Sequence, residues 1–100
     1  MESNKDISSA IREIISANFV KGDYFDSHTI INELMGKQYH QVYLNSFPTG
    51  CTVGQYHGMI AQKIEESNLA QKVQIEGKDV LIKTRTIYGE IKQNHLWKKL

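Results

Sequence analysis

The chain has 100 residues, 40% apolar and 23% charged, with seven glycines, one proline and a formal net charge of +1. That length suits one domain over residues 1–100, and apolar residues spread along the whole chain exclude low-complexity disorder, since burying them offsets a backbone ordering cost of about 1–2 kcal/mol per residue. No apolar run approaches the roughly 20 residues that cross a bilayer, and Met1-Glu2-Ser3-Asn4-Lys5-Asp6 lacks a signal-peptide core, so a cytoplasmic protein with no membrane partner is expected.

Ile7, Ile11, Ile14, Ile15 and Phe19 fall at offsets 0, 4, 7, 8 and 12, a helical stripe. The first helix is therefore expected behind an Asp6 N-cap, with a stop at Lys21-Gly22-Asp23. A second begins at Asp26, where Phe25 and Ile30 are spaced as a hydrophobic staple. Ile30, Ile31, Leu34 and Met35 form its buried face, and Gly36 is placed to close it in the left-handed conformation. Tyr39, Val42, Tyr43 and Phe47 predict a short third helix over about 37–46, ended by Pro48-Thr49-Gly50.

Thr52-Val53-Gly54-Gln55 is a capping box, with Cys51 and Tyr56 placed to staple the helix start. Val53, Tyr56, Ile60 and Ile64 share one side of that helix and His57 and Ala61 its edge, while Gln55, Gly58, Met59 and Gln62 point outward. After Ser67-Asn68 the period changes to two. Val73 and Ile75, a turn at Gly77-Lys78-Asp79, then Val80, Ile82 and Thr84 predict a β-hairpin over about 72–84. The tail carries Ile87, Tyr88, Ile91, Leu96 and Trp97 among charged residues and is expected to pack as an extra strand or a short helix.

Charge is uneven along the chain. Residues 1–50 have four basic and six acidic side chains; from Lys78 onward six basic face two acidic. A basic end of that kind favours a polyanion, although a solvated tail has the same composition.

Three to four short helices, the last strongly capped, followed by a hairpin and a basic end, form an α+β order that resembles the winged helix-turn-helix architecture over roughly residues 7–85. The likeness is one of element order. It implies that the helix from Thr52 to Glu66 enters the major groove of duplex DNA and that the hairpin from Lys72 to Thr84 is a wing against phosphate or the minor groove. A regulator or accessory factor without cofactor or catalysis is the function so implied.

For that role Gln55 and Gln62 stand one above the other with Gly58 between them; glutamine pairs bidentately with adenine, and glycine admits close approach. Lys63 belongs to the same candidate set, and Lys78, Lys83 and Arg85 supply phosphate contacts from the hairpin, Lys83 and Arg85 on one strand face. Against it, the helix face has no arginine, and Glu65 and Glu66 repel phosphate. The same architecture used as a protein-binding module or a homodimer is therefore the second expectation.

The remaining chemistry is thin. His28, His40, His57 and His95 lie 12, 17 and 38 residues apart with no i, i+4 pair, so no metal site is expected. The single cysteine, Cys51, excludes an internal disulfide; with His57 downstream it has the residue types of a nucleophile and base, but its staple position suits a small hydrophobe, and no catalytic residue is expected. Gly50, Gly54 and Gly58 have no lysine in the phosphate-cradling position. Tyr24, Phe25, Tyr39, Tyr43 and Phe47 read as a core wall, and Trp97 as a core or lid residue.

Overall fold

The computed structural model describes residues 6–86 and 89–100. Helix α1 spans Ile7–Asn18, strand β1 Tyr24–Asp26, α2 Ser27–Leu34, α3 His40–Asn45 and α4 Val53–Glu66. Five strands follow: β2 Ala70–Lys72, β3 Gln74–Ile75, β4 Lys78–Asp79, β5 Leu81–Arg85 and β6 Ile91–Lys99. Among the described residues this is an α+β arrangement of four helices and antiparallel strands, compatible with a winged-helix order of elements.

The helix starts follow from local chemistry. Asp6 accepts the Ser9 amide at 2.8 Å and Asp26 accepts the Thr29 amide at 3.2 Å, each satisfying a donor that the first helical turn leaves unpaired. At α4 both halves of the capping box form: Gln55 N–H donates to Thr52 Oγ1 at 3.1 Å, and Thr52 N–H donates to Gln55 Oε1 at 2.9 Å. Val53, expected on the buried side, is instead partly exposed at the helix start.

Helix ends differ more. α2 stops at Leu34 with a half-buried Met35 as its C-cap. Gly36 does not adopt a positive φ; a Cβ there would lie 3.2 Å from the Glu33 carbonyl oxygen, so closeness of backbone and not handedness suits glycine. The turn that follows, closed by Tyr39 N–H on the Gly36 carbonyl at 3.2 Å, shortens α3 from the expected 37–46 to His40–Asn45.

Isoleucines from α1, α2 and α4 interlock with Leu34, Tyr43, Tyr56 and Trp97 in one core. Each such side chain taken fully out of water contributes about 1.5–3 kcal/mol. Trp97 is completely buried and donates its indole N–H to Ser27 Oγ at 2.8 Å, which satisfies its polar atom inside the core.

The tail is strand β6, and the sheet is built around it. β1 pairs with one edge, with Phe25 opposite Trp97. β2 and β5 occupy the other edge in succession, from Ala70 opposite Lys99 to Arg85 opposite Ile91. Val73 N–H donates to the Leu96 carbonyl at 2.9 Å, and Leu96 N–H donates to the Val80 carbonyl at 3.2 Å. Since Val80 N–H also donates to the Val73 carbonyl at 2.8 Å, β2 and β5 act as one strand interrupted opposite Leu96, and residues 74–79 leave it as a side hairpin.

This corrects the expected hairpin over 72–84. Only Gln74 with Asp79 and Ile75 with Lys78 pair across that turn, whose central residues Glu76 and Gly77 have φ of 53° and 80°, the two positive angles of a type I′ turn. β5 pairs with the chain's tail instead. There Ile82 is half-buried, whereas Ile75 in the side hairpin stays 65% exposed. Ile87 and Tyr88 lie outside the described residues. No helix among the described residues is long and apolar enough to cross a membrane.

Candidate functional site

Asp26 and His28, at the start of α2, hold the β5–β6 hairpin in place. Asp26 Oδ2 accepts from the Thr84 hydroxyl, and Asp26 Oδ1 accepts from both the hydroxyl and the amide of Thr29. Asn94 Nδ2 donates to Thr84 Oγ1 at 2.9 Å, and His28 N–H donates to Asn94 Oδ1 at 3.1 Å. His28 Nδ1 lies 2.7 Å from the same Thr84 oxygen. A hydroxyl has one proton, and Thr84 gives it to Asp26; His28 Nδ1 is therefore the donor, which in the neutral imidazole leaves Nε2 as the acceptor. Burial pushes the Asp26 carboxyl up, but the bonds from Thr29 and Thr84 outweigh burial and hold it below its ordinary value.

With the hairpin fixed there, a groove of about 430 Å³ runs between α2, α4 and β5–β6. Gly58 and Ala61 form its α4 wall, Ile31 and His28 its α2 side, and Leu81 and Gln93 its hairpin side. His57 and His95 also line it. Leu81 and Lys83 alternate onto one face of β5, and Gln93, which lines the groove, is the cross-strand partner of Lys83, so Lys83 lies next to the hairpin wall of the groove; Arg85 lines a separate hollow with Tyr24, Asp26, Ile82 and Thr84. A second hollow continues along α4 past Gly58 and Gln62 toward Glu65, Lys72 and His95.

Charge around the far end of this surface is balanced. Lys72 Nζ lies 3.5 Å from Glu65 and 3.7 Å from Asp79, and His95 Nε2 lies 3.3 Å from Asp79. His57 Nε2 meets the Tyr43 hydroxyl at 2.8 Å; burial, then the neighbouring His28, lowers the His57 pKa, which favours its neutral form. Tyr56, pushed up to about 12 by burial and then by Tyr43, donates its hydroxyl to the Tyr43 carbonyl at 2.6 Å.

Of the residues singled out in the sequence, Gly58 and Gln62 line these hollows, Lys83 stands across from Gln93 at their margin, and Arg85 lines a separate hollow with Asp26 and Thr84. Arg85 Nη1 is partly engaged, donating to the Gly89 carbonyl at 2.8 Å. Gln55 does not present a free amide, because its side-chain oxygen accepts the Thr52 N–H; a bidentate contact with adenine would break the cap. Lys63 is half-buried and lies off the groove, on the α1 side of α4: Asp6, held low first by the Ser9 amide and hydroxyl, also feels Arg12 and Lys63. Lys78 is in the β3–β4 side hairpin and not on the strand that carries Lys83.

Gln93 and Asn94 carry no signal in the sequence, and His28, His57 and His95, weighed there only as metal ligands or as a base for Cys51, are gathered by the fold. The Asp26-Ser27-His28-Thr29 run was the one local hint, a cap richer in polar groups than a helix start requires. No three His, Cys, Asp or Glu among the described residues are arranged to hold a metal ion. Cys51 is a free, half-buried thiol. No family model, curated protein or solved structure matches the chain.

Proposed function

We propose that the chain is a winged-helix protein that binds duplex DNA as a regulator or accessory factor, with α4 directed at a groove of the duplex and β5–β6 as the wing. One observation carries this reading: Gly58 on α4 lines the same groove as Leu81 and Gln93 of the hairpin, Gln62 lines the adjoining hollow, and Lys83 is the cross-strand partner of Gln93, so a close-approach point, an amide and one cation border neighbouring hollows. The wing is then the hairpin made with the tail and not the turn at Gly77. Its cations position the protein on phosphate without reading sequence, while Gln62 offers the amide for a base edge. Neither a cofactor nor a catalytic step belongs to this function.

The test is a salt titration of binding to a duplex oligonucleotide. Each phosphate contact adds about 0.9 to the slope of log K against log salt, so Lys83→Ala lowers that slope by about one and Lys78→Ala leaves it unchanged. Absence of binding at low salt overturns the proposal. A protein-binding module is the second reading, favoured by Leu81, 47% exposed beside the groove, and by Met59, exposed on α4. A stable homodimer or a co-purifying partner whose interface covers Met59 and Leu81 would establish it in place of DNA.

A further inference from the structure

We infer that the groove between α4 and the β5–β6 hairpin binds a small, uncharged, planar heteroaromatic molecule carrying both a hydrogen-bond donor and an acceptor. Its volume of about 430 Å³ is in the range of small-molecule sites, and apolar walls with a few convergent polar groups are their usual composition. Among the described residues that line it none is Lys, Arg, Asp or Glu, so the groove complements a neutral ligand and not an ion.

Gly58 lines the groove, and nothing within the chain accounts for a glycine there. In a helix interior glycine costs about 1 kcal/mol relative to alanine. Its φ is not positive, and a Cβ built on it meets no atom within 4 Å, so neither backbone handedness nor packing within the chain calls for it. What the missing methyl leaves is room in the groove.

The polar groups fit the stated chemistry. With its Nδ1 proton committed to Thr84, the neutral form of His28 has Nε2 as its acceptor, suited to a ligand N–H. The Gln93 amide, with a donor and an acceptor, stands on the hairpin side. His57, with Nε2 occupied by Tyr43, is pushed toward its neutral form by burial, and its ring adds a flat surface. A molecule seated there touches α2, α4 and the hairpin at once. The inference goes beyond the duplex reading and stands without it.

The full chain, labelled with ¹⁵N, is titrated to millimolar concentration with nicotinamide, benzimidazole and adenine, and separately with benzoate as a charged control. At least one neutral probe is expected to shift the amides of His28, Gly58, Leu81 and Gln93 selectively. Gly58→Leu is expected to abolish that response, and Gly58→Ala, whose methyl meets no atom of the chain, to weaken it about tenfold and to serve as the comparison should the leucine variant not fold. No response to any neutral probe, an equal or stronger response to benzoate, or an undiminished response in a folded Gly58 variant would overturn the inference. Duplex binding measured on the same samples reports on the proposed function separately.

Discussion

The hydroxyl of Thr84 on β5 donates its proton to the carboxylate of Asp26, the N-cap of α2, across a chain separation of 58 residues. One oxygen of Asp26 thereby caps a helix while the other anchors a hairpin. Thr84→Val keeps the shape and removes the hydroxyl, leaving Asp26, His28 and Asn94 each short of a partner. The expected loss is about 1–3 kcal/mol in denaturant unfolding, with faster amide exchange along β5 and the facing half of β6.

The same carboxylate sets an acid sensitivity. Its folded pKa lies below the ordinary value, so its contribution is fully present above the unfolded pKa, about 3.9, and is lost as pH falls through the folded pKa. Stability of the native chain should therefore decline below about pH 4, and the gap between it and Thr84→Val should narrow over that interval. Denaturant melts at pH 7, 4 and 3 measure both, and a gap that stays constant with pH would contradict the assignment.

Gly58→Ala should separate stability from binding. The variant gains about 1 kcal/mol from helix propensity, or roughly 4–8 °C in Tm for a domain of this size. On the proposed duplex reading, affinity should fall at the same time, because that reading makes Gly58 the close-approach point of α4. A thermal melt and a binding titration on one preparation are sufficient.

The two glutamines of α4 should part company. Gln55→Ala removes half of the capping box and is expected to destabilise by about 0.5–1 kcal/mol. Gln62→Ala, on an exposed face, is expected to stay within about 0.5 kcal/mol of the native stability while weakening the duplex complex. Equal effects of both on affinity with none on stability would return Gln55 to the contact surface.

The side hairpin gives a further contrast. Glu76 and Gly77 both have positive φ, and Gly77→Ala forces a side chain into an angle it rarely adopts. Because residues 74–79 leave the main sheet, the cost should be confined to exchange of the β3 and β4 amides, with Leu81 to Arg85 unaffected. Amide exchange measured across both hairpins decides it.

Sequence alone determined the parts whose causes are local. The isoleucine spacing of α1, the caps at Asp6 and Asp26 and the box at Thr52 each involve residues a few positions apart, and each forms as expected. The three-residue β1 and the central place of β6 had no such signature, because a short strand has no periodicity of its own and gains its hydrogen bonds only from a distant partner. Tertiary structure decided which strand β5 joined, since its partners are residues 91–95 of the tail, and it decided the site. His28, His57 and His95 share a groove only because Thr84 and Asn94 bring the hairpin to the start of α2.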